Sequence, residues 1–173
     1  MSTCSESYKT DTSWYALYTK SRHEKFVESQ LQKKGIESFT PKTTFNSKWS
    51  DRIKRIEEPI FKSYCFAKFD MKDRIRIISQ EGVVTIVNFN KHYIPVEESV
   101  IRSLKVLSEN RIKLDPCPYI KVGDKIAVKR GHLKGLEGFV LEKRNSNTTL
   151  VISVEAILSS VKCVIDAAFV DPA

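Results

Sequence analysis

The chain has 173 residues, 41% of them hydrophobic and 29% charged, with a formal net charge of +8. That length holds one domain or two small ones, and that apolar content excludes wholesale disorder. Cysteines at 4, 65, 117 and 163 form no CxxC pair and stand apart from the histidines at 23, 92 and 132, which argues against a metal site and a disulfide framework.

Residues 1–12 read as a disordered tail. "SWYALYT" (13–19) alternates as a strand, with Trp14, Ala16 and Tyr18 on one face and Tyr15 and Leu17 on the other. The next segment predicts a helix over about 22–34. Ser21 and Glu24 have capping-box spacing; Phe26, Val27 and Leu31 form an apolar stripe; Lys33 and Lys34 suit the negative helix end; Gly35 suits a left-handed exit. "IESFTPKTTF" (36–45) is a strand broken by Pro41, and "NSKWSDRIKR" is an exposed hairpin arm bearing Trp49, Arg52, Lys54 and Arg55.

"PIFKSYCFAKF" (59–69) reads as a strand that is apolar on both faces. Cys65, Ala67 and Phe69 alternate on one side, and Ile60, Tyr64 and Phe66 on the other. A sheet strand usually wets one face, so the second face needs a cover. A short helix follows over 70–82, with Asp70 as its cap and Gly82 at its end, then a β-branched strand over 83–89 and a helix over 94–107. Strand, helix, strands, helix, strand, helix predicts an α+β domain with a mainly antiparallel sheet.

Pro116 and Pro118 mark 111–118 as a linker. From 119 to 173, the short runs "KIAVK", "GFVLEK", "TLVISV" and "VKCVI" between turn residues predict a small β-barrel. Residues 154–169 can also be laid out as a helix, since Ile157, Val161 and Val164 repeat at helical spacing; strands are preferred.

The excess charge is concentrated early. Residues 13–78 hold 15 Lys/Arg against 8 Asp/Glu, 79–118 hold 5 against 5, and 119–173 hold 8 against 6. A basic first half suits a polyanion, nucleic acid above all, or simply a solvated face. The polar start lacks the apolar core of a secretory signal, no run approaches the ~20 apolar residues of a membrane helix, and scattered cysteines suit a reducing cytoplasm. In "RGHLKGLEG" (130–138) the glycines suit a tight turn and close strand approach rather than a phosphate loop, because no Gly-Lys-Ser/Thr ending and no helix follow. Lys129, Arg130, His132 and Lys134 stud that loop. Without a nucleophile–base or paired-carboxylate signature, an enzyme is not expected, nor a cofactor or metal.

"WYALYTKSRHEKFVESQL", "EEPIFKSYCFAKFD" and "VGDKIAVKRGHLKGLEGFV" together resemble the NusG family of transcription elongation factors, the last of them a KOW motif. The resemblance implies a NusG-type N-terminal domain over 13–110, with a four-stranded antiparallel sheet and packed helices, a linker over 111–118 and a KOW barrel over 119–173. The family's Phe-Pro-Gly-Tyr stands here as Phe61-Lys62-Ser63-Tyr64, and its Val-x-Gly-Phe-x-Gly segment as "VVTIVNFNK". Those departures resemble the specialised RfaH and UpxY-type antiterminators of polysaccharide operons.

By position, the resemblance implies an apolar patch of Tyr18, Tyr64, Phe66, Phe89 and Ile101 that grips the clamp helices of RNA polymerase's largest subunit. It also implies contact with the non-template DNA strand through Lys20, Arg22, His23 and Lys25, with Trp49, Arg52 and Lys54 on the arm adding stacking and charge. The KOW domain would recruit a small-subunit ribosomal protein or Rho, and an RfaH-like switch between helical hairpin and barrel is a further expectation. A monomer is expected. The rival readings are a general NusG acting with Rho, and a ribosome- or RNA-binding KOW protein.

Overall fold

The alternation in "SWYALYT" produces strand β1 (Ser13–Thr19) with the expected facing: Tyr15 and Leu17 lie in one apolar cluster, Trp14 and Ala16 in another. The computed structural model describes residues 12–48, 53–110, 112–120, 123, 125–128, 130–131, 133–144, 147–166 and 171–172. The tail expected over 1–12 lies outside these except for residue 12, as do Trp49 and Arg52 of the arm and Lys129 and His132 of the glycine loop.

Helix α1 (Glu24–Lys33) follows, and Gly35 exits it with φ 74°. The expected capping box does not form. His23 precedes the helix, and the buried Glu24 carboxylate accepts a hydrogen bond from the Ser63 N–H at 2.6 Å instead. Nor does Phe26 join the buried stripe, which is built from Glu24, Val27 and Leu31.

Pro41 interrupts the next strand, as expected, splitting it into β2 (Glu37–Phe39) and β3 (Lys42–Lys48). Strand β3 pairs with β4 (Ile53–Pro59) in a two-stranded arm. The long strand expected over 59–69 is broken by a turn at Ile60–Ser63, after which β5 (Tyr64–Phe69) begins. Asp70 caps a 3-10 turn (Met71–Asp73) by accepting from the Lys72 N–H, and α2 (Arg74–Ile78) continues from it.

The strand expected over 83–89 ends early, at β6 (Val83–Ile86). A hairpin of β7 (Asn88–Phe89) and β8 (His92–Tyr93) turns back through Asn90 and Lys91, φ 49° and 65°; two positive φ values match the twist of a tight hairpin. Pro95–Val96 forms β9, and α3 (Glu98–Glu109) starts only after it.

The first sheet runs β2-β5-β1-β6, with β9 also pairing β1, and every pairing is antiparallel. Its two faces have different covers. Cys65, Ala67 and Phe69 of β5 pack with Val27 and Leu31 of α1 and Ile77 of α2. Phe66 packs on the other side, in a core shared with Ile101, Leu104 and Leu107 of α3.

The C-terminal unit is a six-stranded antiparallel sheet of β10 (Asp115–Pro118), β11 (Lys125–Ala127), β12 (Glu137–Arg144), β13 (Asn147–Val154), β14 (Ser159–Asp166) and β15 (Asp171–Pro172), ordered β10-β14-β13-β12-β11-β15. Residues 115–118 of the stretch read as a linker thus pair with β14, at the sheet edge where two prolines cost least. Residues 154–157 finish β13 and make a 3-10 turn, and 159–166 are strand, so the helical layout of this segment is not adopted. Gly131 and Gly135 take φ 76° and 90°, while a side chain at Gly138 would sit 2.9 Å from the Val151 carbonyl: tight turn and close approach, as the loop's spacing suggests.

The two units are not separate cores. Ile126, Val128, Leu133, Leu136, Leu150 and Ile152 of the second sheet are buried in the same cluster as Phe66 and Ile101. Helix α3 packs on β12 and β13, and the Glu155–Ile157 turn lies on β1 and β9. Ser103, wholly buried on α3, accepts the Glu137 N–H at 2.8 Å.

Candidate functional site

The outer face of the first sheet grades from wet to dry. Cross-strand partners Tyr18 and Tyr64 meet edge to face, ring centroids 5.6 Å apart, where β1 and β5 leave the core. Tyr18 is 42% exposed and Tyr64 partly buried. One step inward, Phe66 is fully buried, its ring edge-on to Phe61 at 6.1 Å, and Ile101 on α3 is 1% exposed. The expected exposed patch is therefore corrected: Phe66 and Ile101 are covered by this chain's own α3 and second sheet, because the face is apolar enough to recruit an internal cover worth about 1.5–3 kcal/mol per large side chain. Phe89 stands 66% exposed on the β7–β8 hairpin.

Helix α3 is pinned across the edge of this face. Lys105 bonds Glu37 of β2 at 2.8 Å, and its ammonium lies 4.8 Å from the Trp14 ring centroid and 5.8 Å from that of Phe39. A cleft of about 200 Å³ opens where the start of α3 meets the second sheet, between Val96, Val100, Phe139 and Val154. A wider one of about 410 Å³ lies between Phe61, Tyr64 and the Pro116–Pro118 edge.

The expected nucleic-acid residues cluster at the β1–α1 turn. Lys20, Arg22 and Lys25 are exposed and His23 is half-buried. Arg22 sits at φ 62°, and the His23 Nδ1 lies 2.9 Å from the Ser21 carbonyl oxygen, which together fix the turn. Lys25 donates to the Glu57 carbonyl at 2.9 Å, and Lys42 pairs with Glu28 at 3.0 Å. Two contacts thus fasten the base of the arm to α1. The Lys54 backbone pairs with Ser47 in that arm. Phe26, expected in the apolar stripe of the helix, is instead 39% exposed, edge-on to His23 with centroids 6.0 Å apart. Its helical position between His23 and Gln30, rather than between Val27 and Leu31, is the signal that identifies it.

No group of three or more His, Cys, Asp or Glu side chains suited to a metal occurs among the described residues. Burial pushes the Cys65 and Cys163 thiols up to about 12, and the Cys117 thiol is raised for the same reason, partly offset by Lys162. These thiols are protonated at neutral pH and poor nucleophiles. Among the described residues no helix is long and apolar enough to cross a membrane.

A family model described as transcription termination factor nusG matches residues 12–105, more than half of the chain. A solved structure titled "Domain interaction in Thermotoga maritima NusG" is similar over 94% of this chain and 97% of that one, at 16% identity and TM-score 0.52, which is a likeness of fold. No curated protein matches.

Proposed function

Because the chain belongs to the NusG family of transcription factors, we propose that it binds RNA polymerase through the outer face of the first sheet and raises processivity on specific operons, as an RfaH- or UpxY-type antiterminator. NusG family factors interact with RNA polymerase. The observation that carries the reading is the Tyr18–Tyr64 pair: two aromatics edge to face, Tyr18 exposed and Tyr64 partly buried, at the rim of an apolar face that continues inward to Phe66 and Ile101. A clamp helix of the polymerase's largest subunit would dock on such a rim, where aromatics dominate binding energy. Full engagement would add Phe66 and Ile101 once the second sheet lifts away, with Phe89 as an outlying contact. A population shift toward the closed clamp then suppresses pausing without bond chemistry.

Lys20, Arg22, His23 and Lys25 would meet the non-template DNA strand, the cations neutralising phosphate, with Trp49, Arg52 and Lys54 assisting from the arm. The C-terminal sheet would act as a KOW module that recruits a small-subunit ribosomal protein or Rho. The test is capture of core polymerase by a Tyr18→Ala/Tyr64→Ala variant with a native circular dichroism spectrum. Loss of capture is expected; capture at the wild-type level would refute the face. The family model's own description, a termination factor, favours a second reading as a general NusG acting with Rho. Termination assays on unrelated templates separate the two, since only the general factor acts on all of them.

A further inference from the structure

We propose that the cleft between the start of α3 and the second sheet is a binding site for a small aliphatic diamine, and that the bound diamine holds the two units together. The cleft has about 200 Å³ of space, and both units wall it: Val96, Glu97 and Val100 from the first, Phe139, Val154 and Glu155 from the second. A ligand that touches both walls has its full site only while the second sheet is in place, so binding stabilises that closed form by mass action. The lock rests on the lifting of the second sheet in the proposed function; the site itself does not.

Floor and rim select different parts of one molecule. Val96 and Val154 are buried and Val100 and Phe139 half-buried, so the floor is apolar. Three carboxylates, Glu97, Glu137 and Glu155, line the cleft with a single cation, Lys125. Lys125 lies 3.4 Å from Glu137, and the two charges offset each other. Glu97 accepts a 3.3 Å bond from the Ser99 hydroxyl, and neither Glu97 nor Glu155 has a cation partner among the described residues. Both are exposed at the rim. Two open negative charges in a chain of net charge +8 reverse the local field, repelling anions and attracting cations. The three carboxylates do not form a group that could hold a metal ion. The apolar floor instead accepts methylenes, as lysine stems lie along apolar surface with their charged heads in water. The space falls below the ~300–1,000 Å³ of drug-sized sites, which limits the ligand to a short chain. Four buried methylenes and two exposed ion pairs correspond to a Kd of about 1 mM.

The test is a nuclear magnetic resonance titration of the isotope-labelled full chain with putrescine, a four-carbon diamine, at constant ionic strength. Shifts should concentrate on the Ser99, Gly138 and Val154 amides and saturate with a Kd of about 1 mM. Butanediol, of the same length without charge, and Mg²⁺ should leave those amides unmoved. Glu97→Gln and Glu155→Gln, both exposed and isosteric, should each weaken binding by about two-fold to five-fold, and together by about ten-fold. The lock is read by hydrogen exchange of the Glu137 amide, which bonds Ser103 across the two units. At about ten times the Kd of putrescine, that exchange should slow by about ten-fold, and the double variant should lose most of the slowing. Butanediol binding as tightly as putrescine overturns the role of the carboxylates. Inorganic phosphate moving the same amides, with putrescine silent, overturns the choice of a cation. Saturable putrescine binding with Glu137 exchange unchanged overturns the lock. The polymerase face is decided separately, by core-polymerase capture.

Discussion

Ser63 stands at φ 64°, in the left-handed region that glycine enters freely and other residues do not. Two backbone hydrogen bonds keep it there: its N–H reaches Glu24, and its carbonyl accepts from Thr19 at 2.9 Å. Glycine would occupy this turn without that steric cost. Ser63→Gly relieves about 1–2 kcal/mol of left-handed cost and gives back about 0.5–1 in unfolded-chain freedom. A net gain of about 0.5–1 kcal/mol is expected in denaturant titration, with the Tyr18–Tyr64 pair unmoved. The thiols supply a second residue-scale prediction. Near pH 8, alkylation mapped by peptide should reach Cys117 well ahead of Cys65 and Cys163, whose thiolates are suppressed by burial. Folding raises these two thiol pKa values, so the folded state holds their protons longer than the unfolded chain does. Their contribution to stability is therefore intact below the ordinary thiol range and declines as pH climbs toward about 12. The capping box shows where single residues misled: Ser21 and Glu24 have the right spacing, but the N–H of Ser63, 39 residues away, takes the carboxylate.

At the scale of elements, facing was legible and covering was not. The period-two alternation of β1 and β5 names both faces correctly, because side chains alternate wherever a strand forms. Nothing local states that α3 and a sheet seventy residues downstream will close the outer one. Boundaries failed for a related reason. Asn90 and Lys91 form a hairpin turn without glycine, so β7 reads as the tail of one longer strand and β8 is left unassigned. Pro95 looked like a helix start and is instead a sheet residue paired with Tyr15. Lys91→Gly should stabilise the hairpin that presents Phe89 by about 0.5–1 kcal/mol, measured as added protection of the Asn88–Tyr93 amides in hydrogen exchange.

For the whole molecule, the shared core means that any outside helix seeking Phe66 or Ile101 must displace the C-terminal sheet. Ser103→Glu puts a longer, charged side chain where the wholly buried Ser103 hydroxyl meets the Glu137 N–H, which should weaken that cover while leaving α3 helical. Polymerase capture by this variant should improve by roughly ten-fold, equivalent to about 1.4 kcal/mol of released internal contact; unchanged affinity would mean that cover and partner do not compete. The tether sets how such an opening behaves. Because β10 already belongs to the second sheet, only residues 110–114 are left to stretch, and Ile112 is bonded back to Leu107. Five extended residues reach about 17 Å. A lid on so short a leash remains at an effective concentration in the millimolar range. Reclosure is therefore a first-order event, blind to how dilute the protein is, and a rival helix succeeds by lingering on the bared tyrosine rim rather than by waiting for the lid to drift off.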